Sequence, residues 1–487
     1  MDSNNRSIIF LIVGIMLLCC VCFGVIGFAG VAFYRISGNR VNPAFNPPRP
    51  SVVTVVVTQV MQPYPPPGIS ATPAPVTITP TGPASTPAPS TSDGEIPPDV
   101  LTQMMEIEQQ VLELRGLPPN GEFERALFSP EQLRERVIND FFKDYTPEEA
   151  QQDTLVLSTF GLIDPDFDFY TFYVDLLSEQ VAGFYDNETK EMVIIQSDAF
   201  AGPQRLTYAH EYTHALQDQN YDIKNGLGYD DEPCEQDSER CAAIQALLEG
   251  DATVTEFQWF FEHSTPQDQE DIQEFYNTYE SPVYDSAPAF MQGDFLFPYN
   301  QGYEFVNFLF EEGGFPAIDA AYLTPPVSTE QILHPDLYPN EIPIAITLPD
   351  LLPTLGEGWT LLDQNVMGEW YTYLILARGV DEAARLDDLI AAQAAAGWGG
   401  DVYAVYLAPT GDTTLVFTTA WDTTGDASEF ADAFEQYATA RFGTPTSDMI
   451  WEGDGTVTLF TLNGDQTLWI SAPDLATAQA ILAAVQP

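Results

Sequence analysis

The spacing of hydrophobic and polar positions changes several times along the chain. Residues 8–34 are almost continuously apolar, enough as a helix to cross a bilayer of roughly 30 Å hydrocarbon thickness. Residues 35–97 are dense in Pro, Thr, Ser and Ala, with Pro65-Pro66-Pro67 and Thr-Pro steps at Thr72, Thr79 and Thr86. Such composition buries no core and predicts an extended, polyproline-like stalk. A helical period then begins: Val100, Leu101, Met104, Met105, Ile107, Val111 and Leu112 recur at three and four residues, and 129–142 and 147–160 continue it. The period falls to two over 181–185 and 191–195, which predicts a β-hairpin around the turn 186–190. Gly202-Pro203 suits the first turn of a further helix, and 238–263, 263–280 and a stretch opening at Pro298 read as helices. From about Leu351, helical runs at 368–378 and 380–396 precede alternating segments at 402–407, 413–419, 456–462 and 466–470, with helices at 427–442 and 474–485. The expected fold class is α+β: one domain over 98–350, then a small sheet over 351–487 with helices on one side.

Composition narrows the setting. Lys+Arg 16 against Asp+Glu 72 gives a net charge of -56, which excludes nucleic acid and anionic lipid surfaces as partners, since both need a basic footprint. The apolar N-terminal run is either an anchor or a long signal peptide. Gly27-Phe28-Ala29 offers small residues for cleavage, yet the run continues past it to Tyr34, which favours a single membrane anchor with residues 1–7 cytoplasmic. Arg6 on one side and Arg35 with Arg40 on the other leave orientation undecided by charge; the stalk places the globular part outside. Cys19, Cys20 and Cys22 belong to the apolar run. Cys234 and Cys241 stand alone in the globular part and, outside the cytoplasm, read as a local disulfide.

The strongest chemical signal is Tyr208-Ala209-His210-Glu211-Tyr212-Thr213-His214. On a helix His210 and His214 share one face, where both imidazoles reach a single metal ion, and Glu211 stands beside the open coordination position as a general base. With four His in 487 residues, this pattern arises by chance on the order of once or twice per thousand chains. Downstream, Glu249 lies among Ala246, Leu247 and Leu248 and needs a partner, and Gly250 implies a close approach of another backbone. Glu249 is the expected third ligand, with Asp251, Glu256 and His263 as competitors; Asp251 also suits an acceptor for an imidazole N–H.

His210-Glu211-Tyr212-Thr213-His214 with Glu249-Gly250-Asp251-Ala252 resembles the gluzincin clan of zinc metallopeptidases. The stretches Gly183-Phe184-Tyr185-Asp186 and Ala215-Leu216-Gln217-Asp218-Gln219 resemble bacterial extracytoplasmic members of it. The likeness covers about 98–344. It implies a thermolysin-like catalytic domain, Zn2+ held by His210, His214 and Glu249, a polypeptide substrate, and a His or Tyr that stabilises the oxyanion, for which His334, Tyr299 and Tyr303 are available. The 34 residues between His214 and Glu249 (positions 215 to 248) exceed the spacing of the best-known gluzincins. The rival expectation is a surface adhesion or cell-wall-binding protein with a structural metal site, which requires a fourth protein ligand.

Overall fold

A computed structural model of the chain describes residues 96–143, 145–196, 199–453 and 455–485. The expected anchor, 8–34, and all of the expected stalk except Ile96 and Pro97 lie outside the described residues. Among the described residues no helix is long and apolar enough to cross a membrane.

The opening helix, Pro98–Arg115, starts on proline and ends where Gly116 takes a left-handed conformation (φ 77°). Its buried positions, Met104, Ile107, Val111 and Arg115, follow the helical period. Strand β1 (Glu124–Phe128), which the pattern did not predict, pairs in parallel with β3 (Glu191–Ile195), and β2 (Gly183–Asp186) pairs with β3 antiparallel, giving the order β1-β3-β2. Strand β2 begins two residues later than its apolar run, because Val181 caps the preceding helix Phe169–Gln180.

The HExxH helix, Gly202–Tyr221, lies against this sheet. Gly183 permits the contact: a Cβ there would stand 2.8 Å from Thr207 Cγ2. The Tyr185 hydroxyl donates to Asp218 at 2.8 Å, about three turns further along. The Glu249 helix, Ser238–His263, is buried over most of its length. It packs on the HExxH helix and on a third long helix, Ala289–Gly313, which runs through Pro298 instead of starting there. Burial of Phe290, Phe295, Phe297 and Phe305 overrides the proline's missing donor. Gly250 and Gly302 meet at this crossing, and either Cβ would overlap the opposite backbone.

The C-terminal sheet is antiparallel, in the order β4 (Thr360–Asn365), β5 (Trp398–Leu407), β6 (Thr413–Trp421), β9 (Gln466–Ala472), β8 (Thr456–Asn463), β7 (Ile450–Gly453). Helices cover both of its faces, not one. Tyr403, Phe417, Phe460 and Trp469 face helix Thr424–Phe442 and Phe160 of the first part, in one continuous core. Ala404, Val416, Leu459 and Ile470 face helix Leu475–Val485 and Leu351. Alternate residues on every central strand are therefore apolar on both sides, which is how a two-sided sheet reads.

Candidate metal centre

His210 and His214 lie one turn apart on the HExxH helix, ring centroids 4.9 Å apart. The Glu249 helix brings its carboxylate to them: Glu249 Oε2 stands 3.1 Å from His210 Nε2 and 3.4 Å from His214 Nε2. One ligand atom from each of the three falls within 4.8 Å of the others. Burial is nearly complete, with His210 1%, Glu211 0%, His214 3% and Glu249 0% exposed.

Neighbouring side chains decide which nitrogen faces the centre. The Gln217 amide donates to Leu248 O and to Asp251 Oδ2, both at 3.0 Å, and this turns its carbonyl oxygen toward His214 Nδ1 at 2.8 Å. His214 therefore donates from Nδ1 and keeps a lone pair on Nε2. Glu256 Oε2 likewise accepts from His210 Nδ1 at 2.8 Å. Two imidazole lone pairs and a carboxylate thus point at one place, an arrangement of acceptors that only a cation relieves. With no ion between them, the imidazoles can face Glu249 only as protonated donors; burial, the largest influence, raises the Glu249 carboxyl, and the charge and hydrogen bonds of His214 and His210 in that form outweigh it and hold it below the usual range.

Asp251 does not touch an imidazole. It accepts from Arg115 Nε at 2.8 Å, from the Tyr322 hydroxyl at 2.8 Å and from Gln217, so its hold on His214 passes through the glutamine. Arg115, the last residue of the opening helix, is buried with it. Sequence reading missed Gln217 and Arg115 and gave Glu256 a different role. Gln217 had a signal, since it lies three residues beyond His214 on the same helical face; Glu256 had one too, seven residues beyond Glu249.

A domain of unknown function, DUF8575, matches residues 359–482. The match covers the C-terminal sheet and leaves out the His210/His214/Glu249 cluster. No curated protein and no solved structure matches the chain.

The fit to a metal ion is tested by the oxygens left over. Both Glu211 oxygens and Glu249 Oε1 are buried with no hydrogen-bond partner among the described residues. A proton on one imidazole satisfies a single Glu249 contact and leaves these three unpaired; a hydrated divalent ion takes up all of them. The donor set, two imidazoles and one carboxylate, suits zinc. Burial pushes the Glu211 carboxyl up to about 7, against the pull of His214 and His210, and a bound cation would draw it back down.

The oxyanion candidates separate. The Tyr299 ring lies 6.4 Å from that of His210, whereas Tyr303 packs edge-on against Phe257. His334 is not brought to the cluster. It pairs with Glu369 at 2.9 Å, beside Thr329, which bonds Glu239. Glu239 is ten residues before Glu249, about 15 Å along the helix. A residue that was not predicted, Tyr229, is buried near Glu249; burial first, and that carboxylate second, raise its hydroxyl well above the ordinary range. The sulfurs of Cys234 and Cys241 are bonded and clip the connection between the two ligand helices.

Proposed function

We propose that the chain is a zinc-dependent endopeptidase acting outside the cell, anchored by residues 8–34 and held off the membrane by the stalk. The observation that carries this reading is the Glu211 carboxylate, unpartnered among the described residues, beside three converging ligands among them, which leaves a fourth position for water. His210, His214 and Glu249 hold the ion, which when bound supplies Lewis acidity for the substrate carbonyl and for a water. Glu211 accepts the water's proton and passes it to the leaving amine. Tyr299 is assigned to donate to the carbonyl oxygen as charge develops there. Strand β2, at the edge of its sheet and lying over the HExxH helix, is assigned to align an extended peptide by strand addition.

The near-complete burial of the four side chains favours a second reading, a surface-binding protein with a structural metal. One experiment separates the two: metal content and casein cleavage by the full chain, as wild type and as Glu211→Gln. The peptidase reading expects one zinc in both and cleavage by the wild type alone, with activity down at least a thousandfold in the variant. Equal cleavage by both removes Glu211 from the role of base. Zinc in both with cleavage by neither favours the structural reading.

A further inference from the structure

A second group of buried carboxylates lies where the first part of the chain meets the DUF8575 part. Glu330 sits on the short helix Thr329–Leu333, and Glu369 on the helix Gly368–Ala377. The two helices are stapled together, since the Trp370 amide donates to Thr329 Oγ1 at 3.1 Å. Thr329 in turn donates its hydroxyl to Glu239 at 2.8 Å. Gly368 lies so close to the Glu239 carboxylate that a Cβ there would overlap it.

Glu330 is 1% exposed, and neither of its carboxylate oxygens has a hydrogen-bond partner among the described residues. Glu369 is buried as well. Its Oε1 accepts from His334 at 2.9 Å, while its Oε2 has no such partner. The strongest charges acting on Glu330 are Glu369, Asp422, Glu341 and Glu239, all of them acidic. A proton shared between the two carboxyls satisfies two of the three orphaned oxygens and leaves the third unpaired. A cation with its waters satisfies all three.

We propose that Glu330 and Glu369 are the protein ligands at the core of a divalent cation site of calcium type, which ties the first part of the chain to the DUF8575 part. The ligand class follows from the donors. Both are hard carboxylate oxygens, and His334 spends Nε2 on Glu369 and so orients that carboxylate instead of offering nitrogen to the ion. Calcium takes six to eight oxygens and fills the remainder with water. The partly exposed His334 and the exposed Asp422 mark the side open to solvent. This site is separate from the His210/His214/Glu249 centre and does not depend on the function proposed for it.

The test uses the zinc-loaded full chain in 0.1 M salt with excess Mg2+, which suppresses loose binding to the acidic surface. Tb3+ serves as the probe, its luminescence sensitised by Trp370 beside the site, with Ca2+ as competitor; thermal melts with and without millimolar Ca2+ give a second readout. The expected result is saturable luminescence displaced by Ca2+, binding at least tenfold weaker in Glu330→Gln and Glu369→Gln, a melting temperature that Ca2+ raises in the wild type alone, and unchanged zinc content throughout. If either glutamine variant fails to fold, Asp422→Asn, at the rim, should still weaken Tb3+ binding severalfold. Wild-type affinity in the variants, or no Ca2+ effect on luminescence or melting, overturns the proposal and leaves a proton or water between the carboxylates.

Discussion

Gly250→Ala sets two effects of opposite sign against each other. In an exposed helix interior the change would stabilise by about 0.8–1.0 kcal/mol through propensity alone. Here the added Cβ would stand 2.5 Å from the carbonyl carbon of Gly302 and 2.7 Å from Val306 Cγ2, with the Gly302 oxygen nearer still. Carbon atoms in good contact sit about 3.5–4.0 Å apart, so the two helices must separate by about 1 Å. Overpacking of this kind costs about 1–3 kcal/mol and should exceed the propensity gain, leaving a net loss of up to about 2 kcal/mol. In a unit of this size that lowers Tm by up to about 8 °C. Glu249, the preceding residue and the proposed third ligand, moves with the backbone, so under the proposed function zinc affinity should fall too, and a ligand displaced by about 1 Å can cost a hundredfold in turnover. The assay is a thermal melt of the metal-stripped and zinc-loaded chain, followed by zinc titration. A Tm above wild type in the stripped protein would show that propensity wins and that the helix crossing is looser than described.

Arg115→Met should destabilise by about 3 kcal/mol, because it leaves Asp251 buried with only Gln217 and Tyr322 as donors; urea unfolding measures this, and a loss under 1 kcal/mol would refute the relay. Zinc affinity should fall about tenfold in the same variant through the freed Gln217. Burial raises the Asp294 carboxyl to about 6 despite donors from Tyr371 and Trp370. The folded state therefore holds that proton more tightly than the unfolded chain, and the stability it contributes, about 3 kcal/mol at most, is present below about pH 4 and lost as pH rises through 6. Asp294→Asn should flatten the urea midpoint between pH 4 and 6, and an unchanged slope would reject the assignment. Replacing Cys234 and Cys241 by Ser opens a loop of sequence separation 7 and should cost about 2 kcal/mol, read as a lower melting temperature that matches the reduced wild type.

Local spacing was enough to place His210, Glu211 and His214, because the pitch of one helix sets the relation of residues four apart. It also marked the hairpin around 186–190, where the period changes within a few residues, and the glycine at 250, whose cost in a helix asks for a close neighbour. It did not place β1 or β4, which are short and take their register from partners far along the chain. Nor could it show that the C-terminal sheet is covered on both faces, since an apolar run does not say what packs against each side. His334 and Tyr299 looked alike as candidates in the sequence; only tertiary packing separates them, helix Ala289–Gly313 setting Tyr299 beside His210 and helix Thr329–Leu333 setting His334 with Glu369, about three turns away along the Glu249 helix. The ties that run from Arg115 through Asp251 and Gln217 to His214 join residues up to 136 positions apart. Hydrogen bonds over such separations depend on which helices share the core, and burial in that common core is what decides it.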